Sequence, residues 1–346
     1  MIQNASSGRR SAPGRCRCPF QPRPARNDRA AQAVPELWFA GWMNWLDLAS
    51  PVDRSDRTLL TPPACLRSVT TAGRRYEEEV GQIEFETLLY EEADGVAVVT
   101  LNRPEVHNAF NEVMQDELRH LWRSLKTNDD IRSIVLTGSG EKAFCTGMDR
   151  ADVPVEEGEY FFHALTYEDP GRSIGPRSQG LWKPVLAAVN GMACGGAFYL
   201  LGQVDIIVAA EHATFFDPHV TYGMPAVFEP ALMGERMPFG EVMRMTLMGN
   251  RERISAQKAE RIGLVTQVVP SSEVVETTRQ LAVTIASYSP AAVQASLRAV
   301  WASREMSPGQ MLELGNLFLN LATTAESLRS SQEVFQTRKP EPPTIR

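Results

Sequence analysis

The chain has 346 residues, 43% of them hydrophobic and 22% charged, which is enough apolar material for a sizeable buried core. A net charge of −7 argues against nucleic-acid binding through a basic surface. Its apolar runs, such as Val185–Val189, fall far short of the roughly 20 residues a membrane helix needs, which excludes insertion of that kind. The charge is unevenly split, since the first 80 residues carry +4 and the remainder −11. Five scattered cysteines form no disulfide framework, and Cys16-Arg-Cys18 is too closely spaced for an ordinary zinc pair. The expected setting is reducing and cytoplasmic, with no metal.

Residues 1–34 are rich in Arg, Pro, Ser and Ala and hold one acidic residue, Asp28. They lack the apolar segment of a secretory signal. Their texture approaches that of an organelle transit peptide, but Pro13, Pro19, Pro22 and Pro24 spoil an amphipathic helix. A disordered tail, or sequence upstream of the true start, fits better. Trp38, Phe39, Trp42, Trp45 and Leu46 recur at helical spacing and predict one short amphipathic helix. Residues 51–80 read as linker. The extension is therefore set at 1–82, a core at 83–270 and a C-terminal helical region at 271–346.

From Ile83 the pattern becomes regular. An Asp94-Gly95 turn before the β-rich run Val96–Leu101 predicts a hairpin. Asn111 is placed to cap a helix that carries Met114, Leu118, Leu121, Trp122 and Leu125 on one face. Short buried strands are expected at Ile131–Gly138, Pro184–Asn190 and Val204–Ala209, alternating with helices as in α/β crossovers. Beyond about residue 239 the pattern is helical.

Two glycine-containing turns each follow a strand: Ala143-Phe144-Cys145-Thr146-Gly147-Met148-Asp149, and Asn190-Gly191-Met192-Ala193-Cys194-Gly195-Gly196-Ala197. Neither is a dinucleotide or Walker loop. Side by side they could aim two backbone N–H groups at one oxygen, making an oxyanion hole. Glycines that serve only tight turns would look the same.

The segments LNRPEVHNAF (101–110), IVLTGSGEKAFCTGMD (134–149), KPVLAAVNGMACGGA (183–197), VDIIVAAEHATFFDP (204–218) and RISAQKAERIGLVTQVVP (253–270) occur in an order that resembles the crotonase, or enoyl-CoA hydratase/isomerase, superfamily. The likeness runs from about Ile83 to Lys339. It implies an α/β fold, a spiral of ββα turns with C-terminal helices that mediate trimer formation. It implies an acyl-CoA thioester substrate, a homotrimer or hexamer, and no cofactor beyond the coenzyme A of the substrate. By motif match the oxyanion donors are the N–H groups of Thr146 and Gly196. Val106, His107, Cys145, Asp149 and Gly195 fall at substrate-contacting positions, with His107 on the loop that runs along the CoA.

The sequence departs from that family where its hydratases carry two glutamates. The first position holds Tyr199 and the second, in Asp217-Pro218-His219, holds His219. Histidine titrates near neutrality and suits acid–base work, and a tyrosine hydroxyl can donate or orient. Glu229 is the nearby carboxylate that could replace a missing glutamate; Asp217 reads as a turn residue before proline. Cys145 and Cys194 read as packing residues. Phe161, Phe162, Phe215, Phe216, Tyr222 and Phe228 hint at an aromatic-lined acyl pocket, and residues 151–180 at a long loop over the acyl end. Three functions remain open. They are hydration or a related lyase reaction through a thioester enolate with His219 as acid/base; isomerisation, C–C hydrolysis or decarboxylation on the same fold; and acyl-CoA binding without turnover.

Overall fold

A computed structural model describes residues 85–152, 169–337 and 343–345. The whole 1–82 extension, with the expected helix at residues 35–50, and Phe161 and Phe162 lie outside the described residues.

The hairpin forms as its sequence predicts. β1 (Leu88–Ala93) pairs antiparallel with β2 (Val96–Leu101) across Asp94 and Gly95, whose φ angles are 56° and 74°. Two consecutive positive φ values suit the tight turn that matches strand twist. Asn111 then accepts a hydrogen bond from the Met114 N–H and caps α1 (Glu112–Thr127). All five residues of its predicted apolar face are buried.

From there the chain repeats one device. A long strand enters a first sheet, and a short strand enters a second. In this way β3 (Ser133–Gly138) leads to β4 (Ala143–Cys145), and β5 (Val185–Val189) leads to β6 (Met192–Cys194) and α2 (Ala197–Leu201). Likewise β7 (Ile206–Ala210) leads to β8 (Thr214–Phe216) and α3 (Phe228–Gly234). After α4 (Phe239–Met248) come β9 (Ile254–Ser255), α5 (Ala256–Arg261) and β10 (Gln267–Val269). The first sheet has the order β1-β2-β3-β5-β7-β10 and is parallel except at β1; the second has the order β4-β6-β8-β9 and is parallel except at β9. The expected spiral of ββα turns is present.

The first sheet is covered on both faces, which explains the unbroken apolar runs of its strands. In β5, Val185, Ala187 and Val189 join the core around α1 and α2, while Leu186 and Ala188 point the other way. That second face is closed by α6 (Val274–Ala286), through Val274, Ala282 and Ala286. By packing, α6 therefore belongs with the core, although it falls in the stretch assigned to a separate helical region. It is followed by α7 (Pro290–Glu305), α8 (Pro308–Asn320) and α9 (Ala325–Thr337).

Part of the loop expected at 151–180 is core. Asp169, Pro170, Gly171 and Ile174 are buried, and the Trp122 Nε1–H donates to the Ile174 carbonyl at 2.8 Å. No helix among the described residues is long and apolar enough to cross a membrane.

Candidate active site

The two glycine turns meet. β4 and β6 are adjacent in the second sheet, so the segments that leave their C-terminal ends are neighbours. Gly147 has φ +87°, and a Cβ on it would lie 2.6 Å from the Gly196 backbone nitrogen. Both the backbone angle and the approach require glycine there.

Phe110 sits against the first turn through a parallel bridge. Its N–H donates to the Gly147 carbonyl at 2.8 Å, and the Asp149 N–H donates to the Phe110 carbonyl at 2.9 Å. In such a bridge the residue between, Met148, turns its N–H to the opposite side. Among the described residues no backbone carbonyl accepts from the Met148 N–H. Thr146 abuts the last rung of the β4–β6 ladder, and its hydroxyl donates to the His107 carbonyl at 3.3 Å.

In the second turn, the Gly195 N–H is taken by the Phe216 carbonyl, and the Phe198 and Tyr199 N–H groups donate back to Gly195 and Gly196. The Gly196 N–H has no backbone acceptor among the described residues. Two donor groups therefore stand unclaimed on facing segments, at Met148 and Gly196.

The loop around the first turn is pinned. Asp149 forms a 2.8 Å ion pair with Arg103 and accepts from the Ala151 N–H. Asn108 is fully buried; it receives the Arg103 N–H and donates to the Ser139 and Ala143 carbonyls. His107, at φ 55°, and Val106 are half-buried beside it. Cys145 and Cys194 are buried, and burial pushes both thiols up to about 12, which leaves them as inert packing groups.

His219 stands next to the second turn: a Cβ on Gly195, at φ +55°, would lie 3.8 Å from His219 Cε1. The ring is held from below by Asp217, whose Oδ1 accepts from the His219 backbone N–H at 3.0 Å and from Nδ1–H at 2.6 Å. A carboxylate can only accept, so Nδ1 carries a proton and Nε2 faces the site. Asp217 is more than the turn residue expected. It is fully buried, and its hydrogen bond is the main reason the His219 pKa is raised.

Glu229 arrives from the first turn of α3 and lies with Oε1 3.6 Å from His219 Nε2. It is 1% exposed, and burial pushes its pKa above the ordinary glutamate value. Its Oε1 has no hydrogen-bond partner among the described residues. The Tyr199 hydroxyl faces Glu229 and also donates to Asp169 Oδ2 at 3.5 Å. Burial, with these two acids beside it, drives the Tyr199 pKa far upward, so the hydroxyl stays protonated and donates.

Tyr199, His219 and Glu229 are thus brought together, with Asp217 and Asp169 behind them. Sequence reasoning missed the roles of the latter two. The Asp-x-His spacing, which lets one carboxylate oxygen take both the main-chain and ring N–H, was the available signal for Asp217. For Asp169 there was none. Asp217, His219 and Glu229 each offer a ligand atom within 4.8 Å of the others, a donor set that suits a metal in principle. The 2.6 Å hydrogen bond to Asp217 already occupies one ring nitrogen of His219. Of the expected pocket aromatics, Phe215 is wholly core, Phe216 is buried, Phe228 is half-buried and Tyr222 is 56% exposed.

The family model for enoyl-CoA hydratase/isomerase matches residues 91–341. The chain is 36% identical over 259 residues to the (E)-benzylidenesuccinyl-CoA hydratase of Thauera aromatica, covering 72% of this chain and 95% of that one. It is 34% identical over 218 residues to the short-chain-enoyl-CoA hydratase of Clostridium acetobutylicum, covering 63% and 82%. The crystal structure of an enoyl-CoA hydratase/isomerase from Mycobacterium paratuberculosis superimposes with a TM-score of 0.67 at 32% identity, over 75% of this chain and 98% of that one. With the family model spanning the core and the same ββα spiral in both structures, this chain belongs to the enoyl-CoA hydratase/isomerase family of acyl-CoA enzymes.

Proposed function

We propose that the protein adds water across the double bond of a 2-enoyl-CoA, with Glu229 as base and His219 as acid. The observation that carries this reading is the buried Glu229 carboxylate, 3.6 Å from the Nε2 of His219, which itself stands beside the second glycine turn. It returns a carboxylate to a site whose two family glutamate positions hold Tyr199 and His219. A water about 2.8 Å from both Oε1 and Nε2 closes a triangle on that 3.6 Å base.

The thioester oxygen would sit between the Gly196 N–H and the Met148 N–H. The bridge with Phe110 makes Met148 the better-aimed donor of the first turn, in place of Thr146. Negative charge that moves onto this oxygen is what the two donors stabilise, each by about 2.7–4 kcal/mol. Glu229 takes a proton from water as its oxygen bonds to Cβ. The electron pair of the double bond moves through Cα to the thioester oxygen as an enolate. His219, kept protonated by Asp217, gives its Nε2 proton to Cα as the carbonyl re-forms. The product is a 3-hydroxyacyl-CoA, and the proton held by Glu229 passes back to His219. Tyr199 orients the Glu229 carboxylate throughout.

Crotonyl-CoA tests this directly. The enoyl-thioester absorbance should fall with the wild-type protein, and Glu229→Gln and His219→Gln should each slow it about a hundredfold or more while still binding crotonyl-CoA. Unchanged rates in either variant would overturn that residue's role. Binding without turnover by the wild type would overturn the hydration reading and leave isomerisation, C–C hydrolysis, decarboxylation or acyl-CoA binding without turnover.

A further inference from the structure

Arg150 follows Met148 by two residues, at the start of a short 3-10 turn, Arg150–Asp152. Across from it runs a second 3-10 turn, His219–Tyr222, which begins with the proposed acid. The Arg150 guanidinium carbon lies 4.7 Å from the centre of the Tyr222 ring, so the cation links the turn that follows Met148 to the turn that begins with His219. It is close enough for its charge to be felt at His219.

Arg150 is exposed. Among the described residues it forms no ion pair, and Nη2 meets only the weak acceptor Met224 Sδ at 3.7 Å. Three carboxylates of the site are already committed. Asp149 is held by Arg103, and Asp217 and Glu229 flank His219. A guanidinium stacked on a ring uses its face and keeps its N–H edge free for a planar, two-oxygen partner. In a chain of net charge −7, a cation without an ion-pair partner among the described residues favours an anionic group at this spot.

We infer that Arg150, steadied by Tyr222, binds a carboxylate at the far end of the acyl chain, so that the preferred substrate is a carboxyacyl-CoA. This rests on the acyl-CoA reading above, in which the thioester lies between Met148 and Gly196. The CoA then leaves along Val106 and His107, and the acyl chain passes His219 toward Arg150.

The test uses binding, so that it does not depend on turnover. Dissociation constants are measured for adipyl-CoA and hexanoyl-CoA, and for the shorter pairs glutaryl/valeryl and succinyl/butyryl, which differ by a carboxylate in place of a methyl. The wild type should favour the carboxylate member of the best-fitting pair by about tenfold or more. Arg150→Gln should bring that ratio to about one, and Arg150→Lys should keep part of it. A ratio near one for every pair in the wild type overturns the proposal and leaves the acyl-CoA reading standing. So does a ratio that survives in Arg150→Gln. Equal weakening of both members would also overturn it, because it would place Arg150 on a CoA phosphate. Failure of every acyl-CoA to bind would sink the acyl-CoA reading, and this inference with it.

Discussion

His219 shows how a side chain acquires its chemistry from two neighbours. Asp217 accepts a hydrogen bond from Nδ1–H at 2.6 Å and raises the ring's pKa, while the buried Glu229 lies on the other side at 3.6 Å. The proposed roles require Glu229 ionised and His219 protonated, so activity should follow a bell in pH. Its acid limb lies above the ordinary glutamate value of 4.5, because burial raises Glu229, and its alkaline limb lies above the ordinary histidine value of 6.5. Asp217→Asn removes the acceptor charge that favours the imidazolium. The alkaline limb of kcat/KM should then move to lower pH, with the acid limb nearly in place; an alkaline limb that stays put would remove Asp217 from the positioning role. Sequence alone named Tyr199, His219 and Glu229 as a group but not their order of contact. The carboxylate of Glu229 is ten residues from His219 in the chain, and only the packing of α3 on α2 puts it beside both His219 and Tyr199. Asp217 was misjudged because a carboxylate before proline serves a turn equally well, and burial is what separates the two readings.

At the scale of elements, the site is made where two short segments leave adjacent parallel strands. The long strands of the first sheet were legible, because each is a continuous apolar run bounded by turn residues. The second sheet was not. β4, β6 and β8 are three residues each, too short for a period of two to declare itself, and at β4 and β6 the sequence shows glycine turns without the ladder between them. That ladder is what brings Gly147 against Gly196. Gly147→Ala tests the juxtaposition. Its Cβ would press on the Gly196 nitrogen at 2.6 Å and on a backbone at φ +87°, displacing one donor from the thioester oxygen. The expected result is a kcat lower by about a hundredfold or more, in line with loss of one oxyanion donor, with crotonyl-CoA still bound. A variant that folds and keeps its full rate would show that the Gly196 N–H takes no part. Asp149→Asn would loosen the same loop by a different route, through Arg103.

For the whole molecule, burial divides the chain into a body that is complete and an end that is not. The first sheet is closed on one side by the core around α1 and α2 and on the other by α6, so its central strands are covered on both faces. By contrast α8 and α9 bury no residue at all, although α8 carries Leu312 at 82% exposure, Leu317 and Leu319 at 62%, and Leu321 lies just beyond it at 59%. A sequence pattern can report that such a helix is amphipathic; it cannot report whether the apolar face meets the same chain or another copy, and here α8 packs against α7 yet leaves these leucines exposed. The family resemblance assigns these helices to trimer formation, and their exposed leucines are what that role needs. Sedimentation at micromolar concentration should therefore give three times the monomer mass, or six. Leu317→Glu with Leu319→Glu should shift it toward the monomer while the far-ultraviolet circular dichroism holds, because neither leucine supports the core. A wild type that sediments as a monomer would leave the leucines of α8 without a partner and would refute the trimer expectation for this chain.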